Sequence, residues 1–91
     1  MKWVDITPFL NMPQSEAARR LNIPSSTLSK RWKEAVSTRK WPWRSVSKID
    51  REIMALLHNL PGGRVPENIE QRLSRLSLKR QEFLVPVFIR L

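Results

Sequence analysis

Seven prolines, at positions 8, 13, 24, 42, 61, 66 and 86, limit how far any regular element of this chain can run. A proline has no amide proton, and its ring clashes with the preceding turn, so a helix can open at a proline but is broken or kinked by one in its interior. The residue before each proline is also pushed towards extended backbone. What can form is a series of short helices, and the apolar periodicity between prolines shows which stretches are helical.

Thr7-Pro8 reads as an N-cap and first helical position, opening one short turn through Phe9 and Leu10. From Pro13 to Leu21, residues Gln14, Ala17, Ala18 and Leu21 recur at helical spacing, with Ser15, Glu16, Arg19 and Arg20 opposite. Asn22-Ile23-Pro24 interrupts the pattern, and Ser25 is placed to cap a second helix. In that helix Leu28, Trp32, Ala35 and Val36 share one face, Ser26, Thr27, Lys30, Lys33 and Glu34 point away, and Arg31 lies on the flank.

Residues 37–45 lack a helical period and carry Trp41-Pro42-Trp43, which reads as an extended connection. Val46 to Leu60 presents Ile49, Ile53, Leu56, Leu57 and Leu60 on one stripe, has Asp50 as a first-turn residue after Ser47, and ends at Pro61-Gly62-Gly63. Pro66-Glu67 opens a shorter helix through Ile69, Leu73 and Leu76, acidic in its first turn and basic in its last, after which Ser77 caps a final segment. Phe83 to Ile89 is apolar on every side and interrupted by Pro86, and reads either as a kinked buried helix or as an edge strand. The fold class is all-α: a helix-turn-helix at 13–36, a basic extended loop at 37–45 and a helical C-terminal extension. Residues 1–60 form the helix-turn-helix domain in this reading, and 61–91 either pack on it or mediate self-association.

Charge points to the partner. The chain carries 17 Lys and Arg against 8 Asp and Glu, a formal charge of +9, the balance expected of a protein that meets a polyanion. Residues 16–51 hold ten basic and three acidic side chains, +7 of that total, so the basic function belongs to the middle of the chain. With no cysteine there is neither a disulfide framework nor a thiolate metal site. The N-terminus lacks the apolar stretch of a secretory signal, and the longest apolar run is too short to span a bilayer, so a soluble intracellular protein without a membrane partner is expected.

Two short helices joined by a tight turn, the second with a basic outer face, match the helix-turn-helix, whose second helix enters the major groove. Ser26, Thr27, Lys30 and Arg31 are the candidates for base contact, with Arg19, Arg20, Ser25, Lys33, Arg39, Lys40, Arg44 and Lys48 for phosphate contact. Trp41, Pro42 and Trp43 would position the loop, although either ring could instead stack on nucleic acid. No catalytic residues can be assigned: no Ser/His/Asp or paired-carboxylate arrangement is suggested, and the lone His58 sits on a polar helix face rather than among metal ligands. Gly62-Gly63-Arg64 lacks the spacing of a phosphate-binding loop and reads as a helix terminator. The chain is thus read as a non-enzyme without cofactor, metal or small-molecule substrate.

Glu16-Ala17-Ala18, Leu21, Thr27, Leu28 and Lys30-Arg31, followed by Lys40-Trp41-Pro42, a Trp43 spacer and Arg44-Ser45, give the stretch from Ile6 to Ile53 a family likeness. It resembles the RWP-RK family of eukaryotic transcription factors, named for Arg-Trp-Pro, one spacer and Arg-Lys. Lys40 stands for the first arginine, Ser45 for the final lysine, and Trp32 lies where the family usually has cysteine. A lysine keeps the charge but loses the bidentate fork, so a base contact there becomes a looser phosphate contact. The resemblance implies sequence-specific binding of double-stranded DNA in the nucleus, within a family associated with nitrogen response and with egg-cell or gamete development. Dimeric helix-turn-helix proteins read two half-sites, and a homodimer through the C-terminal segment would fit that pattern. The rival readings are a basic module that binds structured RNA or an acidic protein, and a membrane-surface helix protein driven by the C-terminal basic and apolar residues.

Overall fold

The computed structural model describes residues 2–60, 62 and 64–91. In chain order the elements are strand β1 (Trp3–Asp5), a single 3-10 turn (Thr7–Phe9), helices α1 (Gln14–Leu21), α2 (Ser25–Ala35), α3 (Trp43–His58) and α4 (Glu67–Phe83), and strand β2 (Phe88–Arg90). The fold is mainly α, with one small antiparallel ribbon that pairs Trp3 with Arg90, Val4 with Ile89 and Asp5 with Phe88.

The ribbon, the 3-10 turn, α1 and α2 surround one core of Ile6, Leu10, Ala17, Ala18, Leu28, Trp32, Val87 and Ile89, with Trp41 and Leu84 packed against it. Small Ala17 and Ala18 let α1 approach closely, and each buried Leu or Ile contributes about 1.5–3 kcal/mol relative to an exposed one. Backbone bonds tie the two ends of the chain together: Ile6 N–H donates to the Val87 carbonyl at 3.0 Å, and Leu91 N–H to the Lys2 carbonyl at 2.8 Å. The Asp5 carboxylate accepts from the Thr7 amide at 3.0 Å and the Thr7 hydroxyl at 2.5 Å, while that hydroxyl accepts from Val87 N–H at 3.0 Å. These bonds, led by the one from the Thr7 hydroxyl, hold the Asp5 carboxyl below its ordinary range.

Helices α3 and α4 extend from this core as an antiparallel hairpin. Val46, Ile49, Ile53, Leu56 and Leu60 repeat at alternating spacings of three and four, as do Ile69, Leu73, Leu76, Arg80 and Phe83, which is the seam spacing of two helices lying side by side. Val46, Ile49 and Leu76 are buried in it, and ion pairs of Arg72 with Glu52 and of Arg80 with Asp50 cross between the helices. The hairpin makes the molecule elongated, 54 × 20 × 18 Å with a radius of gyration of 16.4 Å, where a compact domain of this length would have about 12 Å.

Several local expectations give way here. Capping falls to other residues: Ile6, not Thr7, precedes the 3-10 turn, and Pro24, not Ser25, precedes α2, leaving Ser25 as its first helical residue. Pro13 likewise stands before α1, its carbonyl accepting from Ala17 N–H at 3.0 Å. A proline with extended ψ supplies the non-helical backbone that an N-cap needs without any side-chain bond. The extended connection at 37–45 is shorter than the spacing predicts. Pro42 is itself helical in conformation (φ −83°, ψ −6°), and its carbonyl accepts from Val46 N–H at 2.9 Å. Proline restrains the residue before it, Trp41, yet favours the first turn after it, so Trp43, Arg44 and Ser45 are helical and Asp50 lies well inside α3. Ala35 is exposed rather than on the inner face. Helix α4 runs through Ser77 without a break, and α3 stops at His58, with Asn59 at its C-cap. Of the expected terminator Pro61-Gly62-Gly63, residues 61 and 63 lie outside the described residues. The open choice at 83–89 resolves to a strand over 88–90, preceded by Leu84, which caps α4.

Val87 and Ile89 are buried and Phe88 is half exposed, so the apolar run alternates after all. Replacing Ile89 by Ala should cost about 2–5 kcal/mol in urea denaturation, as for other large-to-small changes in a core, and Phe88→Ala much less. Equal costs at the two positions would contradict the ribbon register.

Candidate nucleic-acid interface

The turn between α1 and α2 is set by Asn22, the one non-glycine residue with positive φ (58°) among those described. Asparagine tolerates this left-handed conformation better than most side chains. It lets Asn22 N–H reach the Arg19 carbonyl and Ile23 N–H the Ala18 carbonyl, each at 3.1 Å. Three residues, Asn22 to Pro24, therefore connect the two helices.

Successive residues on α2 are rotated by about 100°. With Leu28 and Trp32 buried, Ser26, Lys30 and Lys33 stand opposite them and are exposed. Thr27 lies to one side and Ser29, which the sequence reading passed over, lies to the other; both are half-buried. The helix axis brings its positive end and the unbonded amides of its first turn to Ser25 and Ser26. Lys30 and Lys33, like Lys40, Arg44 and Lys48, have no ion pair or hydrogen bond among the described residues, and all five are exposed.

Two predicted contact residues, Arg31 and Arg39, and the loop-positioning Trp41 are half-buried and bonded within the protein. Arg31 pairs with Glu34 at 3.1 Å, its Nε is buried without a hydrogen-bond partner, and it lines a cavity of about 210 Å³ with Trp3, Glu34, Ala35 and Arg90. Arg39 is half-buried: its Nη2 donates to the Phe83 carbonyl at 2.6 Å, and its guanidinium lies 5.7 Å from the Trp32 ring centre. Trp41 Nε1 donates to the Met12 carbonyl at 2.7 Å, and its ring meets that of Trp32 edge-on at 5.0 Å. Pro42 is fully buried, and Trp43 is half-buried on α3 beside Asn11, Asp50 and Met54. Hydrogen-bonding demand explains Trp41, since a buried indole N–H seeks an acceptor. Nothing in the local sequence indicates that Arg39 would find one on α4, 44 residues away.

On α1 the two arginines share one carboxylate. Arg19 Nη2 lies 2.5 Å and Arg20 Nε 3.0 Å from Glu16 Oε1, and these bonds, Arg19's first, pull the Glu16 carboxyl down to about 2. Lys48 belongs elsewhere, in a groove between α3 and α4 with Arg72, Arg75 and Lys79, cations that the sequence reading did not single out. Their spacing in the chain, three and then four residues apart, was the available signal.

The model of the RWP-RK domain matches residues 1–84 of the chain. That span takes in β1 and all four helices, a longer stretch than the likeness read over residues 6–53. No curated protein and no solved structure matches the chain.

Because the Glu16 carboxyl titrates lower in the folded chain than its ordinary 4.5, the stabilisation it provides is complete above that ordinary value and is lost as pH falls towards about 2. The melting temperatures of wild type and Glu16→Gln should therefore differ above pH 4.5 and converge towards pH 2. A carboxyl titration midpoint near 4.5 by NMR would show that the two arginines do not hold Glu16 in solution.

Proposed function

This chain belongs to the RWP-RK family, a DNA-binding domain family of transcription regulators and not a family of enzymes, and from that premise we propose that it reads duplex DNA sequence-specifically through α1 and α2 acting as a helix-turn-helix. The observation that carries the reading is the outer face of α2. Ser26, Lys30 and Lys33 are exposed and unpaired there, on a helix anchored from behind by Leu28 and Trp32. In the major groove, hydroxyls and lysines at the start of a recognition helix meet base edges and phosphates.

The roles divide by what each side chain is free to do. Ser26, Thr27 and Lys30 face the bases, with Arg31 able to join them only by leaving Glu34. Lys33, Lys40 and Arg44 hold phosphates, Ser25 contributes at the helix start, and Arg19 and Arg20 contact the backbone as a pair partly neutralised by Glu16. Arg39, Trp41 and Pro42 act from inside, fixing the loop against α2. Lys40 serves as a point charge on phosphate where the family's arginine would fork. The mechanism is binding without chemistry, exercised in the nucleus on genes whose regulation follows occupancy of the site.

A second copy pairs through the C-terminal segment, where Leu78 and Val85 remain 60% and 45% exposed. Dimerisation would give the two-fold half-site arrangement that helix-turn-helix proteins use. Structured RNA or an acidic protein is the competing partner for the same basic surface, and charge alone would serve either, but with little discrimination.

In-vitro selection from a random duplex library at two salt concentrations should enrich one motif, two-fold repeated if the chain is dimeric. Recovery of unpatterned, salt-sensitive duplexes would instead favour the RNA or protein partner. Lys30→Ala should relax the preference at one base position, a contact of about 1–3 kcal/mol. Arg44→Ala should weaken binding to every duplex and lower the magnitude of the salt slope by about 0.9. An unchanged motif in Lys30→Ala would remove α2 from the recognition role.

A further inference from the structure

Helices α3 and α4 carry a cationic groove that the reading of α2 leaves without a role. It encloses about 670 Å³ between Ser45, Lys48 and Glu52 of α3 and Arg72, Arg75 and Lys79 of α4. Ile49, Leu76 and Phe83 form its apolar floor. On each helix the polar lining residues are spaced three and four apart, so they flank the apolar seam on the same side of the hairpin.

The charge of this groove is not balanced within the protein. Four arginines outside the groove meet carboxylates: Arg19 and Arg20 share Glu16, Arg31 has Glu34, and Arg80 has Asp50. Arg44 and Arg51, like Lys48, Arg75 and Lys79 of the groove, have no ion pair among the described residues. In the groove, Glu52 is occupied by Arg72. Lys48, Arg75 and Lys79 surround the same cavity, exposed and without an ion pair among the described residues. Like charges gathered on one hairpin face disfavour folding, and flanks of packed helices ordinarily alternate in sign. An unneutralised cluster of this kind marks the place of an external anion.

Its dimensions suit a nucleic-acid backbone. At 1.5 Å per residue, Arg72, Arg75 and Lys79 extend over about 10 Å, close to three base steps at 3.4 Å along one strand. The groove is also fixed relative to the recognition helix. Phe83, on its floor, has its carbonyl bound by Arg39, whose guanidinium rests against Trp32 of α2. The molecule is 54 Å long, and the hairpin that carries the groove extends away from the core that holds α2.

Building on the DNA-binding reading above, we propose that the α3–α4 groove binds the phosphodiester backbone of the same duplex, flanking the bases read by α2. Lys48, Arg75 and Lys79 contact phosphates, Ser45 donates its hydroxyl, and Arg72 is held in place by Glu52. The contact adds affinity and salt dependence but no sequence preference.

The test is the full chain carrying Arg75→Ala and Lys79→Ala together, both exposed positions whose loss should not lower the melting temperature. On a duplex of about 25 base pairs, longer than the molecule at 3.4 Å per base pair, the salt slope should fall in magnitude by about two units. The wild-type advantage should grow roughly tenfold as salt is lowered from about 200 to 50 mM. The selected motif should be the same for both proteins, and on a duplex of about 10 base pairs, one helical turn, they should bind equally. Arg75→Lys with Lys79→Arg should restore the slope. An unchanged slope on the long duplex overturns the proposal, as does an equal loss on the short one. Inorganic triphosphate binding that the double variant abolishes, with the long-duplex slope unaltered, would assign the groove to a small anion and overturn it too. The slope is measurable whether or not a motif is found: a missing motif counts against the role of α2, and a missing slope change counts against the groove.

Discussion

Trp32 joins α2 to the loop that follows it and, through Arg39, to the end of α4. Its indole N–H donates to the Arg39 carbonyl at 2.7 Å, its ring meets Trp41 edge-on, and the Arg39 guanidinium lies against it before reaching the Phe83 carbonyl. Trp41 in turn reaches Met12. One residue on the inner face of α2 thereby fixes the loop, the approach to α1 and the end of α4. The family resemblance places a cysteine where Trp32 stands. A large ring with one donor fills volume and satisfies a loop carbonyl at once, which a thiol cannot do. The orientation of the exposed face of α2 follows from this anchorage, because a short helix held only by propensity would not keep a fixed angle to its neighbours.

Charge is organised around the same frame. Carboxylates are placed against Arg19 and Arg20, Arg31, Arg72 and Arg80. Cations without ion pairs lie on the outer face of α2, at Lys40 and Arg44 and in the α3–α4 groove, and also at Lys2, Arg51 and Arg64. Exposed ion pairs contribute little to stability.

The two ends of the chain close the core that supports α2. Val87 and Ile89 contribute to it from a strand that pairs with residues near the start, and β2 packs against α2 itself. Contacts between residues so far apart in sequence must offset the entropy of closing a long loop. The hairpin differs in kind. Its two helices are near neighbours in the chain, its seam follows from a simple repeat, and much of it stays half-exposed.

The sequence by itself determined where helices lie, which faces of α1 and α2 turn inward, and where the positive charge concentrates. Proline geometry, helical periodicity and charge count act over a few residues and can be read without a fold. The resemblance over Ile6 to Ile53 was legible for the same reason, resting on Glu16-Ala17-Ala18, Leu28 and Lys40-Trp41-Pro42, while the part of the family match that covers α4 has only generic helix-pair spacing. Even within local reach, the start of α3 was misjudged, because Pro42 restrains Trp41 and favours helix at Trp43 simultaneously. Tertiary structure alone decided that the apolar run at 83–89 ends in a strand and that Arg39 is engaged by the Phe83 carbonyl of α4. It alone also decided that Lys48 shares a groove with Arg75 and Lys79. Each of these depends on partners that the chain brings close only by folding, and spacing along one segment carries no record of what lies across from it.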